Sequence, residues 1–158
     1  MRLHLLRAVG VSAIALAPII GLTTPANASV ERQQCHAMQK VEIGTTGLDV
    51  DIQIKLCVQQ DTTGVYRAFA SFWWQDAGSY KFNNLDLHVR LERYDVVRKG
   101  AVCDFTDEVN STQGFNLYCE TTWTSAAPPL TTDATLLYDT ADDGKGEFRW
   151  DLTGTPAL

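Results

Sequence analysis

Apolar and polar residues alternate with a period of two along most of the chain after residue 29, and this pattern constrains the fold more than any other feature. In the clearest run, leucine and valine alternate with charged residues and a histidine over residues 85–92. Successive side chains of a strand point to opposite faces, so this alternation predicts strands with one face in a core. No segment after residue 29 has the sustained 3.6-residue period of an amphipathic helix. The sequence therefore predicts an all-β domain.

Other runs of the same kind define the remaining strands. They predict strands at about 37–43, 48–58, 65–75, 100–105, 114–124, 133–138 and 146–152. Glycine, proline and aspartate clusters separate these runs and indicate turns. About seven or eight short antiparallel strands, with a turn every ten to fifteen residues or so, predict two packed sheets, which is a β-sandwich. A small β-barrel is the structural alternative.

The N-terminus has the three parts of a secretory signal peptide. Two arginines accompany an almost continuous apolar stretch, residues 8–22, and small residues at 26–28 are typical of a cleavage site. The apolar stretch is about 15 residues long, against roughly 20 for a membrane span, so an uncleaved anchor is less favoured. We therefore expect residues 1–28 to be a signal peptide and residues 29–158 to form one secreted, extracellular domain.

The charge of that domain narrows the choice of partners. Residues 29–158 contain 11 Lys and Arg against 19 Asp and Glu, a net charge of −8. Nucleic-acid binding draws most of its affinity from Lys and Arg contacts to phosphates, so we expect no nucleic-acid partner. Anionic membranes and acidic polymers are disfavoured for the same Coulombic reason, and we expect no membrane association after signal cleavage.

The four cysteines predict two disulfides. Cys35, Cys57, Cys103 and Cys119 are an even set in an exported chain, and none of them forms the close C-x-x-C pair of a zinc site. Cys103 and Cys119 share the apolar faces of their runs, whereas Cys57 lies on the polar face of its run. We therefore predict a Cys103–Cys119 disulfide inside the sandwich and a Cys35–Cys57 disulfide outside it, which holds the N-terminal segment.

The spacing of Cys57, Trp73 and Cys119 resembles the Cys, Trp and Cys of immunoglobulin domains. In those domains one disulfide crosses between the sheets beneath the tryptophan. Here Cys57 lies on a polar face, and Leu117 occupies the position of the tyrosine of a tyrosine corner. We therefore predict a sandwich that is immunoglobulin-like in architecture only.

No set of residues typical of an enzyme active site is evident. No serine lies in a G-x-S-x-G elbow, and the predicted disulfides use every cysteine. His36 lies beside a cysteine near the N-terminus, and His88 lies on the polar side of a strand without an identifiable nucleophile. Two of the many carboxylates at a suitable separation would allow glycoside cleavage, so a carboxylate hydrolase stays open as an alternative.

Two further motifs match a known pattern only in part. Residues 139–150 contain acids and a glycine, but Ala141 and Trp150 depart from the EF-hand pattern, and a polar hairpin turn explains Asp142–Gly146 better. A loose surface calcium site is the alternative, and we predict no metal and no cofactor. Asn110 begins an Asn-Ser-Thr sequence that fits the N-glycosylation sequon.

Aromatic residues on polar faces are the most informative anomaly. Phe69 and Trp73 lie opposite the apolar face of their strand, and the same alternation assigns Tyr94 and Tyr118 to polar faces. If these strands are neighbours, the four side chains form an exposed aromatic patch, which on a soluble protein marks a contact surface. The alternative is that a loop covers Trp73 and makes it part of a satellite core.

Together these features favour a secreted, non-catalytic binding module. Phe69, Trp73, Tyr94 and Tyr118 are its predicted ligand-binding residues, and the predicted partner is an extracellular glycan or protein. One alternative is a small extracellular hydrolase that uses carboxylates. The other is a secreted inhibitor that inserts a disulfide-braced loop, residues 104–118, into its partner.

Overall fold

A computed structural model describes residues 29–158, and the predicted signal peptide, residues 1–28, lies outside the described residues. The described chain contains nine strands and one short helix, so the predicted all-β class is confirmed. The elements are β1 (Val30–Cys35), β2 (Gln39–Ile43), β3 (Val50–Asp61), β4 (Tyr66–Gln75), β5 (Phe82–Arg93), β6 (Val96–Asp104), α1 (Thr106–Ser111), β7 (Asn116–Glu120), β8 (Thr131–Thr140) and β9 (Phe148–Asp151).

The strands form two antiparallel sheets in two layers. The first sheet has the order β1-β3-β4-β7, with β2 also paired to β3, and the second has the order β6-β5-β8-β9. Cys35 of β1 lies opposite Cys57, and Gln39 of β2 lies opposite Ile54. Because β1 and β2 pair with different parts of β3, they act as one interrupted edge strand. The predicted sandwich is confirmed, and residues 29–158 do not form the closed barrel that was its alternative.

The core lies between the sheets and follows the predicted alternation. Every second residue of β4 from Tyr66 to Trp74 is buried, and the same holds from Leu85 to Leu91 in β5. Burial of each large apolar side chain contributes about 1.5–3 kcal/mol, so these central strands supply much of the stabilisation. The largest fully buried side chains include Trp74, Phe72, Phe82, Ile52, Ile54 and Leu56.

Both disulfides have the predicted connectivity. Cys35–Cys57 joins neighbouring strands of the first sheet, whereas Cys103–Cys119 joins β6 of the second sheet to β7 of the first. Cys57 faces away from the core, as predicted, yet is only 5% exposed. Cys35 and Phe69 lie directly opposite Cys57 on the two neighbouring strands, which explains its burial.

Two hairpin turns differ in how well the sequence predicts them. Residues 141–147 connect β8 and β9, which confirms the polar turn predicted there. Tyr94 and Asp95 form a two-residue turn between β5 and β6, with φ of 52° and 61°. Positive φ at both central residues is typical of a type I′ turn, whose twist matches the flanking strands. Tyr94 is therefore a turn residue and does not lie on a strand face.

The segment between β6 and β7 is folded back onto the sandwich. Its helix α1 buries Val109 completely, and Phe105 just before the helix is also buried. The Trp74 indole donates a hydrogen bond to the Thr112 carbonyl oxygen at 3.2 Å. No helix in residues 29–158 has the length and hydropathy needed to cross a membrane.

Hydrogen bonds join β2, at the edge of the first sheet, to the segment that follows β9 at the edge of the second sheet. The Gln39 amide nitrogen donates to the Thr153 carbonyl at 2.9 Å, and the Thr153 N–H donates to the Gln39 amide oxygen at 2.7 Å. Beyond β9 the chain runs beside the start of β8, where Leu158 and Leu130 exchange two backbone hydrogen bonds. The C-terminal residues thus extend the second sheet and contact the first.

Candidate functional site

The outward side of the first sheet carries a group of aromatic side chains, which we call the aromatic face. It is formed by Arg67, Phe69, Trp73, Tyr118 and Trp123. The register brings β4 and β7 together, with Phe69 opposite Glu120 and Trp73 opposite Asn116. Odd-numbered residues of β4 point outward because the even-numbered ones fill the core. Three of the four predicted binding residues therefore share one sheet face.

Phe69 and Tyr118 are in direct ring contact. Their centroids are 5.3 Å apart and the rings are inclined by 31°. Tyr118 is 58% exposed, which makes it the most open aromatic side chain of the face. The Asn116 amide donates a hydrogen bond to the Tyr118 hydroxyl oxygen at 3.0 Å. A large ring is thus held in a fixed position with one side toward solvent.

Arg67 extends this surface toward the end of the sheet. Its guanidinium carbon lies 4.5 Å from the Trp123 ring centroid and 5.5 Å from that of Phe69. The same group forms a 2.6 Å ion pair with Glu120 and donates to the Gln59 amide oxygen at 2.8 Å. Its side chain is only 17% exposed. Cation–π contacts with two rings and charge-assisted hydrogen bonds hold the guanidinium group in place on the face.

Trp73 lies at the other end of the aromatic face. It is opposite Gln53 on one side and Asn116 on the other, and it is half-buried. Trp73 and Phe69 both lie outside the apolar cluster between the sheets. The indole therefore keeps part of its surface open, with amide side chains on both neighbouring strands.

Tyr94 does not join the other three residues. It lies in the β5–β6 turn of the second sheet, is 70% exposed, and has the Arg93 guanidinium 5.2 Å from its ring centroid. Alternation assigns side chains to faces only within a strand, and Tyr94 lies just past the end of β5, where the chain reverses direction. The structure thus brings together Phe69, Trp73 and Tyr118, and leaves Tyr94 elsewhere.

Arg67 and Trp123 belong to the face, although neither is among the four predicted binding residues. Phe115 and Trp123 continue the period-two run of Cys119 in the sequence, but β7 spans only Asn116–Glu120. Phe115 is consequently 63% exposed, and Trp123 contacts Arg67 beyond the strand end. A signal for Arg67 was present, since it precedes Phe69 by two residues on the same outward side.

The outer face of the second sheet carries paired charges. Arg90 contacts Glu92 at 2.9 Å and Asp133 at 3.5 Å, while Arg149 contacts Asp151 at 2.7 Å. Hydrogen bonds from Arg149 and Thr135 lower the pKa of the Asp151 carboxyl. A general acid for glycoside cleavage needs a raised carboxyl pKa, which is the opposite of the shift at Asp151.

The residues considered for a calcium site are used in the turn itself. The Asp143 carboxylate accepts hydrogen bonds from the Thr140 hydroxyl and from the Lys145 N–H. These hydrogen bonds lower the pKa of Asp143, with the Thr140 contact as the main cause. Within residues 29–158 no group of three or more His, Cys, Asp or Glu side chains is arranged to hold a metal ion.

Comparisons of the chain with protein-family models, with curated proteins and with solved structures found no match in any of the three. The aromatic face is a partly open surface of rings, with amide groups and one paired arginine beside them.

Proposed function

We propose that this protein is an exported, non-catalytic binding module that holds a glycan on the aromatic face. The observation that carries the proposal is the Phe69–Tyr118 pair, a ring contact on the outside of a sheet with Tyr118 58% exposed. An exposed aromatic side chain held in place has little conformational entropy left to lose when a ligand binds. The two disulfides are compatible with export into an oxidising compartment.

The polar groups of the face favour a glycan over an apolar partner surface. Asn116, Gln53 and Glu120 lie directly opposite aromatic residues of β4 in the strand register. Sugar rings present C–H groups on their flat sides and hydroxyl groups at their edges. Aromatic rings provide the first kind of contact, and amide and carboxylate groups provide hydrogen bonds for the second.

The alternatives have less support. A carboxylate hydrolase needs a carboxyl group with a raised pKa, whereas hydrogen bonds lower the pKa of Asp61, Asp104, Asp143 and Asp151. An inhibitor needs a loop free to enter its partner, whereas residues 104–118 contain α1 and bury Val109. A protein partner on the aromatic face is a separate outcome of the experiment below.

The test measures depletion of the purified, oxidised protein by insoluble cellulose, chitin and bacterial cell walls, with secreted proteins immobilised on beads as a parallel arm. Variants Tyr118→Ala and Trp73→Ala each remove one ring from the face. Tyr80→Ala is the matched control, because Tyr80 is 66% exposed but lies in the β4–β5 loop. Near-UV circular dichroism verifies that each variant is folded.

We expect retention by at least one polysaccharide, with an affinity loss of about tenfold or more in Tyr118→Ala and Trp73→Ala. The Tyr80→Ala control should bind like the unsubstituted protein. Another outcome is that the protein is retained only by the beads that carry secreted proteins, with that retention lost in Tyr118→Ala and Trp73→Ala. This result would support the aromatic face as a binding surface but would show that its ligand is a protein and not a glycan. Equal behaviour of all variants would reject the aromatic face as a binding surface.

A further inference from the structure

A second site lies at the end of the sandwich near the β5–β6 turn. Arg93 at the end of β5 and Arg98 in β6 face the segment after β7, and together they line a pocket of about 250 Å³. The other lining residues are Thr124, Ser125, Ala126 and Ala127. Two cations and two hydroxyl-bearing residues thus surround one opening, and no acidic residue lines it.

The two arginines differ from most others in the described chain. Of the six arginines in residues 29–158, Arg67, Arg90 and Arg149 have a carboxylate partner. Arg93 and Arg98 form no ion pair with a described carboxylate, although acidic residues outnumber basic ones in the domain. Like charges that converge without a counterion repel each other, so this arrangement favours binding of an anion.

Arg93 also has an unsatisfied buried donor. Its Nε atom is inaccessible to solvent and has no hydrogen-bond acceptor among the described residues. Leaving a buried charged donor unpaired is costly, and an anion bound beside the guanidinium group would offset that cost. The contact of the Arg93 guanidinium with the Tyr94 ring, at 5.2 Å, holds the group beside the pocket.

We infer that this pocket binds a single oxyanion, such as a carboxylate, sulfate or phosphate group. Guanidinium groups present planar sets of N–H donors that match two oxygens of such an anion. The pocket is below the roughly 300–1,000 Å³ range of drug-sized ligands, so it suits one charged group on a ligand. The inference does not rest on the proposed function, because none of its residues belongs to the aromatic face.

The test is a titration of the isotopically labelled, oxidised protein with sodium sulfate, sodium phosphate and sodium acetate, followed by amide chemical shifts at constant ionic strength. Arg93→Gln and Arg98→Gln remove one cation each. Arg32→Gln is the matched control, since it removes the same charge from an exposed position on β1. Arg98 is exposed, so its substitution leaves the fold intact even if that of Arg93 does not.

We expect saturable shifts at Ser125 and Arg98, with a dissociation constant of about 10 mM or lower for at least one anion. Both pocket variants should weaken binding by about tenfold, and Arg32→Gln should leave it unchanged. The anion with the lowest dissociation constant identifies the preferred group. Absence of saturation with all three anions, or unchanged binding in Arg98→Gln, would overturn the inference.

Discussion

Asp61 shows how one side chain organises a turn between two long strands. Its carboxylate accepts hydrogen bonds from the Thr63 N–H at 2.8 Å, the Thr63 hydroxyl at 2.8 Å and the Val65 N–H at 3.1 Å. Asp61 is only 3% exposed. Burial disfavours its charged form, but the hydrogen bonds outweigh burial and lower its pKa below 3.8.

A lowered native pKa gives a definite pH dependence. The charged form of Asp61 stabilises the fold above the pKa of the unfolded chain, and this contribution is lost as the pH falls through the lower native pKa. We expect the free energy of unfolding to decrease as the pH falls from about 4, near the pKa of the unfolded chain, through the lower native pKa. Asp61→Asn should be less stable at pH 7 and should lose part of that dependence.

Urea unfolding at a series of pH values measures this effect. Asp142→Asn is the matched control, because it makes the same charge change at an exposed turn residue. Asp104, Asp143 and Asp151 also have lowered pKa values, so some acid sensitivity persists in Asp61→Asn. Identical pH profiles for Asp61→Asn and the unsubstituted protein would contradict the assigned role of the Asp61 carboxylate.

For individual side chains, the sequence predicted those members of the aromatic face that lie within strands. Alternation has a period of two only while the backbone stays extended, so it assigned Phe69, Trp73 and Tyr118 correctly to outward faces. Tyr94 and Trp123 lie just beyond strand ends, where that rule stops. A tyrosine at a position with φ of 52° is also an unusual choice for a turn, and it therefore gave no turn signal.

Among the elements, α1 depends on one asparagine for its attachment. The Asn110 amide oxygen accepts hydrogen bonds from the backbone N–H groups of Lys81 and Phe82 at 2.7 and 2.9 Å. Its amide nitrogen donates to the Phe82 carbonyl at 2.8 Å. The helix has only six residues, too few to be stable alone, so these contacts and the burial of Val109 hold it in place. The same contacts occupy the side-chain amide of the Asn-Ser-Thr sequence that fits the N-glycosylation sequon.

We expect Asn110→Ala to lower the free energy of unfolding by about 2 kcal/mol, because it leaves buried backbone groups near Phe82 without partners. Asn83→Ala is the control, since Asn83 is exposed and makes only two solvent-accessible side-chain contacts, donating to Asp139 at 3.2 Å and accepting from the Tyr80 hydroxyl at 3.5 Å. Its effect should stay within about 0.5 kcal/mol. Chemical denaturation measures both values. A similar loss in the two variants would show that Asn110 does not attach α1.

The sequence predicted those strands whose apolar alternation matches the burial of one face in the core. The central strands β3, β4, β5 and β8 bury one face, and their alternation marked them within a few residues of their ends. β1 was not predicted, because it is an edge strand whose residues are nearly all exposed and carry no apolar alternation. α1 was not predicted either, since a helix of six residues is too short to show a helical period.

Different kinds of contact join the two sheets at the two sides of the sandwich. On one side the Cys103–Cys119 disulfide joins β6 to β7, and on the other Gln39 hydrogen bonds to Thr153 beyond β9. Between them, the buried Thr132 hydroxyl donates to the Cys57 carbonyl oxygen at 2.9 Å and connects the two sheets. Sheets four strands wide have edges about 14 Å apart, from three strand spacings of about 4.8 Å.

From the distance between the two edges we predict how cooperatively the sandwich unfolds. Replacement of Cys103 and Cys119 by alanine should lower the free energy of unfolding by about 3 kcal/mol, because the 16-residue separation gives a loop of intermediate length. Gln39→Ala should cost about 1 kcal/mol for its two solvent-accessible hydrogen bonds. The disulfide and Gln39 are far enough apart to act independently when the structure between them is rigid. The combined variant should therefore lose the sum of the two single losses in free energy of unfolding, within about 0.5 kcal/mol.

Guanidinium unfolding of the four proteins in this cycle, with the denaturant slope fitted for each, gives the coupling energy. An unchanged slope together with an additive loss means that the sandwich unfolds as one unit around a rigid core. A loss that exceeds the sum by more than about 1 kcal/mol would mean that either edge alone keeps the two sheets in register, and that the register is lost only when both edges are broken. In the combined variant the sheets would then separate, and the aromatic face, which β7 completes, would lose its shape with them.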